Sequence, residues 1–481
     1  MSAQTVEIKV GRAEEIVSFD PATGEEVGRA PAASAAEVSA AVGRAREAQK
    51  AWGALSYEER ARVIMRARRV VLDELEEIAL LISRETGKPV AEAVSMELAP
   101  TLDLMQFFAR RTRRLLRPEK IDIGQYGLMG RTSRIVYRPL GVVGVISPWN
   151  FPWATPLDEV VMALMAGNSV VVKPSELTPL SALAMARVCQ LAGVPDGLVN
   201  VVCGEGRVVG RQLVEHPLTS MVTLTGSTRA GQEILAQAAG KVMAVSLELG
   251  GKAPVIVFPD ADLDLAVGKA FEARFWNCGQ VCTCNERTYV HASLHDEFVG
   301  RFAELARGIR IGDPAADDTE LGPKVSAAEW DKVKGLVDGA VAAGAKVVLG
   351  GDRPEGGRFT RGHWFAPTVL TGVSNDMEVV QREVFGPVLP VLPFDGYDEV
   401  IAWANSTDYG LTSYVFTEDL RTAMRASDDL EFGEVYVNAV GPEQFQAFHS
   451  GWKLSGLGGD DGRHGYDRYV RRKTVYLRYG G

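Results

Sequence analysis

Apolar residues recur at helical spacing over residues 34–52 and 57–86, the second stretch closing at Gly87-Lys88-Pro89. The helical theme continues over 91–116 despite Pro100, so the first quarter of the chain is predicted to be mostly helix. Residues 121–138 change character. There Ile121-Asp122-Ile123-Gly124 and Ser133-Arg134-Ile135-Val136-Tyr137 read as two strands around a Gly-rich turn. Such a hairpin has few local apolar partners and is a candidate for covering, or being covered by, another subunit.

A regular alternation follows. Short apolar runs at 141–146, 170–172, 198–202 and 221–224 each lead into a Gly/Pro/Ser turn and a helical stretch. Strands so rich in Val and apolar on both faces imply a parallel sheet covered by crossover helices. The pattern resumes after Gly251, with runs at 255–258, 289–291, 388–392, 413–416 and 435–437. Two α/β units joined near Gly250-Gly251 are therefore expected. The last strand, at 474–478, alternates and is expected to pair with the hairpin at 121–138.

Bulk properties bound the function. A chain of 481 residues exceeds a single core and implies roughly three domains or subdomains. With 46% hydrophobic and 24% charged residues it reads as an ordinary globular protein. A formal net charge of -10 repels polyanions, which disfavours nucleic acid and acidic membranes as partners. Residues 1–9 carry no basic region followed by an apolar core, and no apolar run is long enough to span a bilayer, so a cytoplasmic location is expected. Five cysteines, three of them crowded at Cys278, Cys282 and Cys284, make no disulfide framework and suit a reducing compartment. That cluster lacks a second Cys/His group to complete a zinc shell, so no metal is expected.

The chemistry concentrates in two segments. Cys282 follows a helical pattern and precedes the β-rich Arg287-Thr288-Tyr289-Val290-His291, which places it at an element boundary where a thiol can face a cleft. A thiolate attacks carbonyl carbon readily, and Glu248, beside Gly250-Gly251, would serve as its base once the chain folds back. An isolated Cys is more often a small buried hydrophobe, the reading kept for Cys278 and Cys284, although Cys284 could pair with Cys282 on oxidation. A second kind of site is legible at Leu224-Thr225-Gly226-Ser227-Thr228, a strand, a turn and a helix start whose hydroxyl and amides suit a phosphate. Gly204, Gly206 and Gly210 also follow a strand, but the third glycine lies one residue too far for the usual dinucleotide fingerprint.

Five motifs in order make the sequence resemble the aldehyde dehydrogenase superfamily: Pro148-Trp149-Asn150-Phe151-Pro152, Lys173-Pro174-Ser175-Glu176, Glu248-Leu249-Gly250-Gly251-Lys252, Gly279-Gln280-Val281-Cys282 with Arg287, and Glu383-Val384-Phe385-Gly386-Pro387. The resemblance implies an α/β fold of two Rossmann-like doubly wound parallel-sheet domains plus a small β oligomerisation arm. It places an NAD-binding domain at 1–118 and 139–250, a catalytic domain at 251–440, oligomerisation strands at 119–138 and 470–481, and a substrate-pocket loop at 441–469. It further implies oxidation of an aldehyde to a carboxylic acid by a homodimer or homotetramer. Cys282 would be the nucleophile, helped by a helix N-terminus and a positive nicotinamide ring. Glu248 would activate water, and Asn150 with the Cys282 amide would receive the oxyanion.

For the cofactor, the resemblance carries over to Trp149, Lys173, Ser175, Glu176, Gly206, Gly210, Ser227, Glu383 and Phe385, with Arg382 standing where an acidic residue is frequent. A carboxylate at Glu176 binds ribose hydroxyls and repels a 2′-phosphate, which favours NAD, with NADP possible. Residues 441–456 resemble the C-terminal loop of lactaldehyde, glycolaldehyde and glyceraldehyde dehydrogenases, where Glu443 and His449 would bind the hydroxyl of a short 2-hydroxyaldehyde. This chain departs from that subgroup at Asp158-Glu159, where a basic residue is usual; carboxylates there disfavour anionic aldehydes. Trp153, Trp276 and Phe445 either line a tunnel for a larger apolar aldehyde or belong to the core. A thiol amidase or hydrolase would share the nucleophile and base but would have no use for the Lys173–Glu176 and Gly226-Ser227 elements.

Overall fold

Ser34 and Ser56 open the helical quarter with reciprocal capping boxes. Each hydroxyl accepts the backbone N–H three residues on, and Glu37 and Glu59 reach back to the serine amides at 2.7 Å. The computed structural model describes residues 15–441 and 443–479. The expectation for residues 1–9 and the last two residues of the predicted arm therefore lie outside the described residues.

The stretch predicted as one helix over 57–86 is two, Tyr57–Asp73 and Leu75–Thr86, broken at Glu74 with φ -110° and ψ 19°. Its carboxylate receives both terminal nitrogens of Arg187, at 2.6 and 2.9 Å, tying the break to a neighbouring helix. The next stretch stays helical across Pro100 because the turn before it, Ala93–Leu98, widens into a π-helix ahead of the helix Ala99–Leu115.

The alternating apolar runs form two sheets. In the first, the strands lie in the order Ala244–Glu248, Thr219–Thr225, Val142–Ile146, Ser169–Lys173, Val199–Val201, all parallel, with the short strand Gly456–Leu457 antiparallel on the outer edge. Val142–Ile146 comes first in sequence and sits centrally, so the connections wind outward on both sides from a switch point. Alternate residues feed opposite cores: Val143, Val145, Val170 and Val172 pack in one core with Ile64, Met105 and Phe108, while Val142 and Val171 pack in another with Val38 and Val42. Each such side chain contributes roughly 1.5–3 kcal/mol by burial.

The second sheet runs Lys346–Leu349, Thr368–Thr371, Val388–Phe394, Asn285–His291, Ala253–Val257, Thr412–Phe416, Glu434–Val437, parallel apart from its first strand. Four of these strands escaped the sequence reading, one of them the two-residue edge piece Gly456–Leu457. Ala244–Glu248 reads Ala-Val-Ser-Leu-Glu, with no apolar run to signal a buried strand, and Lys346–Leu349 and Thr368–Thr371 are four-residue pieces toward one edge.

The predicted hairpin is present but altered. Its first strand is Glu119–Ile121, ending where Gly124 takes φ +52° and a one-turn helix Gln125–Leu128 fills the connection. The second strand, Arg131–Pro139, pairs along its whole length with Val470–Arg478, as the alternation at the chain end predicts.

Candidate active site

Strand Ala244–Glu248 of the first sheet hands over to Ala253–Val257 of the second through Gly250-Gly251, and that crossing creates the site. A Cβ on Gly251 would lie 2.4 Å from the Cys282 carbonyl oxygen, and one on Gly250 would lie 2.9 Å from the Glu383 carboxylate. Glycine at both positions lets the two lobes touch. Glu248 and Cys282 consequently line one cavity of about 350 Å³ with Phe151, Asp158, Glu159, Trp276, Phe445, Glu443, His449, Asp460 and Asp461. Cys282 is half-buried while the other four cysteines are buried. Glu248 is 5% exposed, and neither carboxylate oxygen has a hydrogen-bond partner among the described residues.

The turn that presents Cys282 is unusual. Helix Leu263–Phe275 ends, and Asn277, Cys278 and Gly279 then take φ of 47°, 56° and 70° in succession. Each non-glycine residue so placed costs on the order of 1 kcal/mol, which buried partners offset. The Asn277 amide donates to Glu92 at 2.9 Å and its side chain to the Asn150 carbonyl at 3.0 Å; Arg274 holds the Gly279 carbonyl at 3.0 Å. Asn150 is fixed from both ends, its Nδ2 donating to the Gln280 carbonyl at 2.9 Å and its own carbonyl accepting from Lys88 at 2.8 Å. The second N–H of its amide has no protein partner among the described residues, which leaves a donor beside the Cys282 turn.

The expected helix N-terminus beside the thiol is not available. The helix before Cys282 points its C-terminal end there, and the helix Ala154–Ala166, whose first residues line the cavity, spends the amides of Trp153 and Ala154 on Glu97 at 2.9 and 3.0 Å. Burial, then the charges of Glu443, Glu248 and Glu383, push the thiol well above its ordinary range. Burial likewise raises Glu248 well above the usual carboxylate range, with His449 acting in the opposite direction. Burial alone would lower the His449 imidazole, but Glu443, Glu434 and Glu248 reverse this and hold it well above its ordinary range. Glu434, Glu443 and His449 bring potential metal ligands within 4.8 Å of one another, a closeness the 3.0 Å His449 to Glu434 hydrogen bond already explains.

Most residues assigned to a dinucleotide lie at the carboxyl ends of the first sheet's strands, while Glu383 and Phe385 precede the second-sheet strand Val388–Phe394. Trp149 follows Val142–Ile146, Lys173 closes Ser169–Lys173, Gly206 and Gly210 follow Val199–Val201, and Ser227 follows Thr219–Thr225. Ser227 caps the helix Thr228–Ala239 and is exposed; a Cβ on Gly206 would meet no atom within 4 Å. An open groove over a helix N-terminus fits a pyrophosphate. Lys173 pairs with Glu176 at 3.1 Å, and Ser175 lies half-buried between them in the chain. Glu383, pushed by burial to about 7, accepts the Gly251 amide at 2.9 Å. Phe385 takes φ +55° and meets Trp149 edge-on at 5.4 Å. The sequence reading gave Glu286 no role, yet it holds the Val384 and Phe385 amides at 2.8 and 3.1 Å. Burial works to raise its carboxyl, but Lys252 and Arg274 prevail and set it at about 2.

These positions fit NAD(P) beside a thiol and a carboxylate. The profile of the aldehyde dehydrogenase family matches residues 9–475. The chain belongs to that family. It is 55% identical over 461 residues, 96% of this chain and 92% of the relative, to a 3,6-anhydro-alpha-L-galactose dehydrogenase of Streptomyces coelicolor. It is 40% identical to the lactaldehyde dehydrogenase of Escherichia coli, with 95% of this chain and 94% of that one covered. Among solved structures, a 3,6-anhydro-L-galactose dehydrogenase in complex with NADP superposes with a TM-score of 0.93 at 41% identity, over 98% of this chain and 97% of that one. The protein is an NAD(P)-dependent aldehyde dehydrogenase. That sets aside the amidase alternative.

The pocket separates the three aromatic residues that the sequence left open between tunnel and core. Trp153 is fully buried in the core of the first lobe, whereas Trp276 and Phe445 line the cavity. Glu159 and Asp460 meet there as a carboxyl pair. Burial and then the charge of Asp460 raise Glu159 well above its ordinary range, while Thr223 donates to it at 2.7 Å. Glu434, Asp460 and Asp461 carried no motif and were not singled out. Among the described residues no helix is long and apolar enough to cross a membrane.

Proposed function

We propose that this enzyme oxidises a polyhydroxylated aldehyde of the 3,6-anhydro-L-galactose kind, with 2-hydroxyaldehydes such as lactaldehyde as smaller alternatives. The observation that carries this is the cavity wall, in which Asp158, Glu443, Asp460, Asp461 and His449 face Phe151, Trp276 and Phe445. Clustered carboxyls hydrogen-bond several hydroxyls while aromatic rings cover the C–H face of a sugar ring, and about 350 Å³ exceeds what lactaldehyde fills. A purely apolar aldehyde would use none of these polar groups. The substrates of the relatives at 55% and 40% identity support the same class.

In the mechanism, the Cys282 thiolate adds to the aldehyde carbon, and the free N–H of Asn150 with the Cys282 amide receives the oxyanion. When bound along Trp149, Lys173, Ser175, Glu176, Gly206, Gly210, Ser227, Glu383 and Phe385, NAD(P)⁺ supplies the hydride acceptor and a positive charge that the thiol otherwise lacks. A thioester on Cys282 remains. Glu248 removes a proton from water, the hydroxide adds to the thioester, and the carboxylic acid departs as the thiolate reforms. Glu176 favours NAD, while Lys173 beside it is a cation within reach of a 2′-phosphate, and the solved relative holds NADP. Glu443 and His449 lie on the substrate side.

On this reading the chain up to 118 with 139–250 forms the cofactor unit, 251–440 the catalytic unit and 441–469 the substrate wall. Residues 119–138 and the strand from 470 onward form an arm for self-association into a dimer or tetramer. A panel of 3,6-anhydro-L-galactose, lactaldehyde, glycolaldehyde, glyceraldehyde and benzaldehyde, each with NAD and NADP, tests the reading by reduced-cofactor formation. The highest kcat/KM on benzaldehyde would overturn the substrate class.

A further inference from the structure

We infer that the Glu434 and His449 pair is a positioning device for the base, holding an imidazolium against Glu248 during thioester hydrolysis. This rests on the reading of Glu248 as that base. Strand Glu434–Val437 at the edge of the second sheet brings Glu434 against His449, and its Oε2 is fixed by the Thr412 hydroxyl at 3.0 Å. Its Oε1 bonds His449 Nδ1 at 3.0 Å, so the ring cannot turn freely. The backbone of His449 is fastened in both directions to Asp460, at 3.0 and 2.8 Å. The remaining ring nitrogen, Nε2, stands 3.6 Å from Glu248 Oε2, too long for a direct bond but close enough for a bridging water or a small tightening.

His449 is the one basic side chain lining the cavity among the described residues. Facing it are Glu434 and Glu248 from the two sheets, Glu443, Asp460 and Asp461 from its own segment, and Asp158, Glu159 and Cys282 from the other walls. Glu248 is nine-tenths buried with no other partner, so this imidazolium is what opposes its protonation. Removing the positive charge makes Glu248 harder to ionise and moves the acid limb of deacylation to higher pH.

p-Nitrophenyl acetate tests this without a dinucleotide. The Cys282 thiolate takes the acetyl group and releases p-nitrophenolate in a burst; water then cleaves the acetyl thioester to acetate in the steady phase. The comparison rests on Glu434→Gln, in which the burst should persist, with His449→Gln run beside it. The steady phase should slow about ten- to hundredfold, part of what a general base contributes. Its acid limb should shift upward, with Glu434→Asp recovering part of the rate. Glu434→Gln carries the comparison should His449→Gln fail to fold. An unshifted acid limb and an unchanged steady phase, with only a raised KM for a hydroxyaldehyde, would reduce the pair to a substrate contact and overturn the inference. Loss of the burst in a folded variant would overturn it equally. Glu248→Gln run in parallel separates the two readings: if it deacylates normally, the base assignment itself is wrong.

Discussion

At the level of single residues, the site works against its own ionisation. Cys282 and Glu248 are both raised by burial first, and the Glu248 charge raises the thiol further. A carboxyl held above its unfolded value of about 4.3 protonates early on acidification, so the acid limb of turnover should lie above the ordinary carboxylate range. Cys282→Ala should abolish NAD(P)H formation. Glu248→Gln should form it once per site and then stall, leaving an acyl-enzyme visible by protein mass spectrometry; free turnover by either variant would exclude the mechanism. Glu159 gives a stability counterpart. Because its folded value is raised, its proton stabilises the native state fully below the unfolded value, and that stabilisation is lost as pH rises through the folded value. Glu159→Gln keeps a hydrogen at that place at every pH, so at neutral pH the variant should be more stable by on the order of 1 kcal/mol. Thermal melts at acidic and alkaline pH check this, and a variant that melts lower at both would refute it. Cys282, Glu248 and Asn150 were legible because they sit in contiguous motifs. Glu434 and Asp460 were not, because they become neighbours only when a sheet edge and a loop fold together.

At the level of elements, one ion pair links the helical quarter to Asn150. Lys88 and Glu97 are fully buried; Lys88 also grips the Asn150 carbonyl at 2.8 Å, and Glu97 caps the helix Ala154–Ala166. Glu97 faces inward from the π-turn Ala93–Leu98, which also lets Pro100 sit inside a continuing helical stretch. The sequence reading had the helix but not the widened turn, since a π-turn leaves no apolar period of its own. Lys88→Met should leave Glu97 charged and unpaired, costing about 3–5 kcal/mol, while the double change with Glu97→Gln should recover part of that. Chemical denaturation of the three variants measures the coupling. Equal stability of single and double variants would remove the pair from this role. The strand Ala244–Glu248 shows the converse limit. Its end carries Glu248, yet its mixed Ala, Val and Ser composition gave no sign of burial, and its neighbours in the sheet decided its place.

At the scale of the molecule, the parallel sheets were legible from the Val-rich runs, and so was the pairing of the chain's last strand with the hairpin. The connection Gln125–Leu128 was not, because Gly124 reverses the chain in a way no periodicity announces. That connection is where the arm is most apolar. Leu128 is 93% exposed and Met129 60%, while Tyr476 on the long outer strand is 79% exposed. A three-stranded antiparallel sheet with open edges and exposed rings is poorly stabilised alone, and continuing it onto a second copy would satisfy both its edges and its apolar side chains. A net charge of -10 spread over each copy opposes association, so the arm's apolar contacts must outweigh that repulsion. Leu128→Asp with Tyr476→Asp should therefore lower the mass seen by light scattering to that of a smaller species. Neither residue lines the cavity, so the p-nitrophenyl acetate burst should survive in the dissociated protein. An unchanged mass would place self-association on another face, and a lost burst would mean that the arm supports the site across the subunit contact.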